Sequence, residues 1–395
     1  MSKAFHTGEY TNIFAQLGYS HAEIEKRVND TFNTLFFGDD AMRIYHETGD
    51  DMGYLVDTGN NDVRTEGQSY GMMMAVQCNR RDVFDRIWNW TRTYLYLNRG
   101  PNKGYFGWSA RLDGVLYSDG PAPDGEEFFA MALLFASNRW GDGEGIFAYS
   151  REAKALLHEM VHKGECDKGK PMFDPMNKYI RFTPDCNFTD PSYHLPHFYE
   201  LFARWGNPED RAFFHEAAAV SRVYLKSACH PVTGLSAEYA EYDGTPLDRE
   251  NRHYFYSDAY RVAANIGLDY EWFGADDWEP ECADNIQRFF GETVKGREDM
   301  VYNIDGTPVT DPSGLIAGAD GIPRVLHPVG LLATNAQASL AAKGAYRFWF
   351  AQHLWNTPMR TGARRYYDNC LYLFAMLALS GNYRIWMPKP ENLLP

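Results

Sequence analysis

The sequence predicts an all-α chain, an (α/α)6 barrel of six inner and six outer helices that takes up residues 1–395 as a single domain. Three observations lead there. Six helical phrases that are apolar on every face alternate with six amphipathic ones. The alternation recurs about every 60 residues. Strand patterning is weak. A helix apolar all round is buried on all sides, and a helix polar along one face lies outside it. Six such hairpins in succession suggest a closed ring.

The inner phrases run over 64–77, 123–141, 189–206, 256–272, 327–341 and 366–381. Each follows a loop that ends in an acidic or small polar residue, as helix starts do. The outer segments run over 20–38, 80–95, 150–164, 208–225, 276–292 and 338–354, with apolar residues at helical spacing against a polar face. The Asp-Gly pairs within 238–248 and 301–311 predict two small hairpins decorating the loops. Five acidic residues, Glu66, Asp124, Asp190, Asp258 and Asp368, fall at inner-helix starts. There each can cap its helix and complement the helix dipole. All inner-helix starts of such a barrel face one end, so that end is expected to carry an acidic, aromatic cleft.

Composition limits the partners. Hydrophobic residues make up 45% and charged residues 23%, enough for a large core. The 10 Trp, 26 Tyr and 25 Phe serve either that core or a cleft of flat rings against which sugars stack. A net charge of −15 argues against nucleic acid and anionic membrane as partners. No stretch of about 20 apolar residues is present to span a bilayer. The six cysteines at 78, 166, 186, 229, 282 and 370 lack CxxC or structural-zinc spacing and are expected to be buried free thiols. MSKAFHTGEY has no apolar h-region, so the expectation is a cytoplasmic monomer, and the N-x-S/T triplets at Asn29, Asn89 and Asn187 carry no weight.

Three inner-helix starts point to chemistry: Glu66 in DVRTEGQSYGM, Asp124 in PAPDGEEFFAM and Asp258 in YFYSDAYRVAA. Glycosidic cleavage needs one carboxyl group to protonate the leaving oxygen and a second to activate water. A helix N-terminus favours the charged form, which suits a base. A proton donor at such a place needs burial or a neighbouring like charge.

The runs DVRTEGQSYGMMMAV and PAPDGEEFFAMALLFASNRW resemble the two signature segments of glycoside hydrolase family 8. The second departs from the family pattern at Glu126, Glu127 and Phe129 but keeps Ala130, Ala136 and Trp140. The resemblance implies the barrel and a cofactor-free, metal-free inverting hydrolase. It implies Glu66 as general acid and Asp124 as the carboxylate that holds and distorts the sugar before the cleavage point. YSDAYRVAANIGLDYEW is similar to the branch whose base lies on this later helix, which implies Asp258 as general base and xylose release from the reducing end of β-1,4-xylo-oligosaccharides. Tyr193 matches a tyrosine that helps to hold the attacking water. RVLHPVG resembles a loop that walls off the product side after one sugar, formed by Leu326, His327 and Pro328. Tyr54, Tyr105, Phe106, Trp108 and Tyr256 lie in loops on the inferred cleft side and are candidates to stack on sugar, with Gly104–Trp108 as the platform. Arg64 is expected to clamp a hydroxyl or to tune Glu66.

His158-Glu159-Met160-Val161-His162 matches the zinc-peptidase motif H-E-x-x-H. Leu156, Leu157, Met160 and Val161 form the apolar stripe of that segment, so the histidines are expected to face solvent, and KGECDKGK supplies no third ligand. The match is read as chance. The other readings are an endo-acting relative on xylan, chitosan or β-glucan, a zinc peptidase, and a sugar-binding or sugar-isomerising barrel. The identity of the sugar does not follow from residue chemistry alone.

Overall fold

The computed structural model describes residues 3–389 except 167 and 312; the outermost residues of the expected 1–395 domain lie outside them. The chain is all-α. Among the described residues, twelve helices have ten residues or more: α1 (His21–Phe37), α2 (Thr65–Gln77), α3 (Arg81–Tyr94), α4 (Pro123–Trp140), α5 (Tyr149–His162), α6 (Pro196–Trp205), α7 (Arg211–Ala228), α8 (Arg261–Trp272), α9 (Trp278–Arg288), α10 (Pro328–Gln337), α11 (Arg347–Asn356) and α12 (Arg365–Leu379).

Burial follows the pattern of the sequence. In α2, α4 and α12 nearly every residue is buried, including polar Gln68, Glu126 and Asn369. In α3 only the stripe Val83, Phe84, Ile87, Trp88, Trp90 and Thr91 is buried. Proline opens α4, α6 and α10, where its missing N–H costs nothing. A capping box starts α1: Ser20 Oγ accepts from the Glu23 N–H at 3.3 Å and Glu23 Oε2 accepts from the Ser20 N–H at 2.8 Å.

The even-numbered helices contact one another in the cycle α2–α4–α6–α8–α10–α12–α2, and each odd-numbered helix packs on an even-numbered neighbour. Glycines allow the close approaches. A Cβ on Gly267 of α8 would stand 2.5 Å from the carbonyl oxygen of Gln337 of α10, which is backbone and cannot step aside. Gly267→Ala is therefore expected to destabilise the protein by about 1–3 kcal/mol, measurable as a lower midpoint in urea.

Three element boundaries differ from expectation. The phrase at 189–206 begins with one 3-10 turn (Pro191–Tyr193), and the helix proper waits for Pro196, because Leu195 before it is held out of the helical region. The phrase at 256–272 begins with the 3-10 turn Ser257–Tyr260, whose first residue sits at φ +29°, a strained value for serine. The outer segment 338–354 is not one helix: Asp284 Oδ1 accepts the N–H groups of Lys343 and Gly344 at 2.8 and 2.7 Å, so the chain breaks there and α11 starts afresh.

Both expected Asp-Gly turns form, as isolated bridges rather than strands. Gly244 and Gly306 take φ +91° and +89°, and the preceding aspartates accept the N–H groups of Thr245 and Thr307. Two antiparallel strand pairs were not expected: Tyr45–Thr48 with Met52–Leu55, and Val63–Arg64 with Ser109–Ala110. Among the described residues, no helix is long and apolar enough to cross a membrane. All six cysteines are free thiols, but only Cys229, Cys282 and Cys370 are buried, and Cys166 is exposed.

Candidate active site

Arg261, the first residue of α8, is the centre of the site. It is buried, so its charge needs partners. Nη1 donates to Asp124 Oδ2 at 3.0 Å, to Tyr70 Oη at 2.9 Å and to Glu66 Oε2 at 3.4 Å. Nη2 lies 3.7 Å from both Asp190 Oδ2 and Asp258 Oδ1. One guanidinium thus joins four carboxylates from the starts of α2 and α4 and the turns before α6 and α8.

Glu66 lies in the first turn of α2 but caps nothing: its oxygens face Arg261 and the Tyr366 hydroxyl, which donates to Oε1 at 2.8 Å. Its carboxyl group is raised to about 8, chiefly by burial; Arg261 pulls it down, while Asp124 and Asp258 push it up. Burial also raises Asp124, against the pull of Arg261. Asp190 is raised well above the ordinary range, again by burial first. Glu66 is thus a protonated carboxyl at neutral pH, and activity that needs its proton is present below about pH 8 and falls as pH rises through that value. A pH profile of kcat/KM with its alkaline limb near 8 is the expected result.

Asp258 is the most open of the four, with a side chain 33% exposed. Its N–H donates to Glu238 Oε1 at 3.2 Å, and Glu238 pairs with Arg252 at 3.0 Å. Burial and the nearby Asp258 raise Glu238 to about 7 despite Arg252. Glu66 and Asp258 contact different nitrogens of one guanidinium. Glu66 Oε2 lies 3.4 Å from Nη1 and Asp258 Oδ1 lies 3.7 Å from Nη2.

Two cavities meet at this pair. One of about 480 Å³ is lined by Asp124, Phe182, Tyr193, Tyr239 and Glu250 among others. The other, of about 400 Å³, is lined by Asp57, Leu326, His327, Arg364, Tyr366 and Tyr367 among others. Arg64, Glu66, Trp108, Arg252 and Asp258 belong to both. Arg64 bonds Asp62 at 3.0 Å, lies 3.3 Å from Asp57 and covers the Trp108 ring at 5.4 Å. Tyr193 is buried beneath Arg261, its ring 5.5 Å from the guanidinium carbon. Leu326 and His327 are pinned from below: Arg360 donates to the Leu326 carbonyl at 2.6 Å, and Asp368 holds His327 Nδ1 at 2.8 Å.

Other expected residues stand elsewhere. Tyr105 and Phe106 are 0% and 2% exposed; the Tyr105 hydroxyl donates to the carbonyls of Glu159 and Lys170, and Phe106 packs on Trp88 and Phe129. Of the platform only Trp108, 37% exposed, reaches the cavities. Tyr54 packs on Trp90, and Tyr256 is buried against Val301 and Val309. Pro328 opens α10 and lines a third cavity with Phe290 and Trp349 instead. Residues not foreseen are Arg261, Glu238, Arg252, Phe182 and Tyr239. Arg261 had a signal, an arginine within the otherwise apolar DAYRVAANIGL; the others come from loops with none.

The H-E-x-x-H segment also differs from expectation. His162 does not simply face solvent: Nε2 meets Asp210 Oδ1 at 2.5 Å and Nδ1 meets Glu165 Oε1 at 2.8 Å. Asp210, from the turn before α7, is the third acidic or imidazole group that the local sequence lacked.

Residues 49–381 match the model of glycosyl hydrolases family 8, and the chain belongs to that family of glycoside hydrolases. It is 58% identical to a reducing end xylose-releasing exo-oligoxylanase of Halalkalibacterium halodurans, over 98% of this chain and 97% of the relative. It is 55% identical to the reducing-end xylose-releasing exo-oligoxylanase Rex8A of Paenibacillus barcinonensis, over 97% and 98%. The solved structure of Rex8A complexed with xylose superposes with a TM-score of 0.93 at 54% identity, covering 98% of this chain and all of that one.

Proposed function

We propose that this chain is an inverting hydrolase that releases xylose from the reducing end of β-1,4-xylo-oligosaccharides. The observation that carries the proposal is the pair Glu66 and Asp258, held by one arginine at the junction of two cavities, one of them bounded by Leu326 and His327. Glu66 is the general acid. Tyr366 donates to Oε1 and Arg261 to Oε2, and the two hold in place the carboxyl group that passes its proton to the glycosidic oxygen. Asp258 is the base that takes a proton from the attacking water, with Tyr193 helping to hold that water. Asp124, fixed by Arg261 and the Gly125 N–H, grips the sugar whose anomeric carbon is attacked and steers it towards an oxocarbenium-like shape. Trp108 and Arg64 line both sides of the scissile bond. The Leu326–His327 wall limits the product side to one sugar.

The closed cycle of inner helices and the outer helix on each support a single (α/α)6 barrel as the frame. The six free thiols suit a reducing, cytoplasmic compartment, and a cleft built within one chain suits a monomer. The net charge of −15 suits a neutral sugar as substrate, rather than nucleic acid or an anionic membrane.

Proton NMR of xylotriose during the first turnovers tests the reaction. Direct attack of water places the new hydroxyl in the α configuration, so α-xylobiose is expected ahead of β-xylobiose. The β anomer appearing first would mean retention and a covalent intermediate, and would remove Asp258 as a base.

A further inference from the structure

We propose that the outer face of the molecule, at the end of α5, holds a structural divalent transition-metal ion bound by His158, His162 and Asp210. His158 and His162 are one helical turn apart, their ring centroids 4.6 Å apart. A nitrogen of each and a carboxylate oxygen of Asp210 lie within 4.8 Å of one another. Two imidazoles and one carboxylate suit zinc, or nickel and cobalt, better than calcium or magnesium, which prefer all-oxygen sites.

The surroundings are those of a ligand set already oriented. Asp210 is buried, and its second oxygen accepts from the Asn207 side-chain amide at 3.3 Å. His162 presents Nε2 towards Asp210, while Nδ1 is held by Glu165 at 2.8 Å. That carboxylate–histidine arrangement is the one that orients metal-bound histidines and makes them better donors. His158 is exposed and free to swing onto the ion. His162 is also the last residue of α5, where the helix carbonyls favour a cation. On binding, the His162–Asp210 hydrogen bond is exchanged for two bonds to the ion.

The site is structural rather than peptidase-like. Glu159, which would be the base of H-E-x-x-H, is turned away, with Oε2 paired to Lys163 at 2.5 Å and its carboxyl group against Gly104. The ion instead ties α5 to the turn Pro208–Asp210 that starts α7, two outer helices joined otherwise by the Asn207 amide on the Lys154 carbonyl.

The test is calorimetric titration of untagged, chelator-stripped protein with zinc chloride, followed by thermal melts. One ion per chain is expected, with a Tm rise of about 2–5 °C at a hundredfold excess over Kd. His158→Ala, at an exposed position, should bind at least tenfold more weakly and lose the Tm rise, while hydrolysis of xylotriose stays at the wild-type rate. His162→Ala should abolish binding. Absence of saturable binding, or equal binding and an equal Tm rise in His158→Ala, would show that His162 only bridges Asp210 and Glu165 and would overturn the proposal.

Discussion

Glu66→Ala lowers kcat/KM on xylotriose by about 10²–10⁴, the range that general acid catalysis contributes. The sugar leaves as an alkoxide without this proton, and the neighbouring carboxyl groups are already engaged: Asp124 is held by Arg261 Nη1 at 3.0 Å, and Asp190 lies beside Nη2 at 3.7 Å. The variant keeps its fold, because Glu66 caps nothing. Two substrates separate the role from a loss of binding. A xyloside with a leaving group acidic enough to depart unprotonated recovers most of the rate if Glu66 is the acid. An equal loss on both substrates would mean that Glu66 only positions the sugar.

Arg261→Met produces the second large effect, and it falls on stability. The guanidinium is the shared counter-charge of Glu66, Asp124, Asp190 and Asp258, three of which are nearly enclosed. Removing one partner of a buried ionic cluster leaves charge uncompensated, at about 3–5 kcal/mol. The sign with pH follows from the carboxylates left behind. Without Arg261 their pKa values rise further above those of the unfolded chain, so the folded state binds more protons than the unfolded one. The loss in urea-unfolding free energy is therefore expected to be largest at pH 8 and to shrink towards pH 5. A loss independent of pH would mean that Arg261 acts by packing alone. Arg261→Lys keeps the charge but not the fork, and is expected to recover part of the stability and little of the activity.

The frame and the core of the site were legible in different degrees. The alternation of apolar and amphipathic helices needs only periodicity, which survives in a single sequence, and each of the twelve helices overlaps the segment where that pattern placed it. Boundaries failed where a side chain or one strained residue overrides periodicity, as at Asp284 and at Ser257. Glu66, Asp124 and Asp258 were legible because each starts a helix that is otherwise apolar. Arg261 was passed over because three residues after Asp258 it reads as part of a helix face, although its burial amid carboxylates makes it the hub. The aromatic run 104–108 shows the limit of composition: the turn that ends at Gly104, with φ +95°, sends Tyr105 and Phe106 into the core, and only Trp108 faces the cavity. Asp210 was invisible beside H-E-x-x-H because it arrives from another helix.

The most direct measurement of the central claim is a time course on xylotetraose labelled at its reducing end, with wild type, Glu66→Ala and Asp258→Asn run side by side. Labelled xylose as the first product, with unlabelled xylotriose accumulating beside it and both variants nearly inactive, is the predicted result. Labelled xylobiose as the first product would contradict the one-sugar limit at Leu326 and His327, and full activity in either variant would contradict the assigned acid or base.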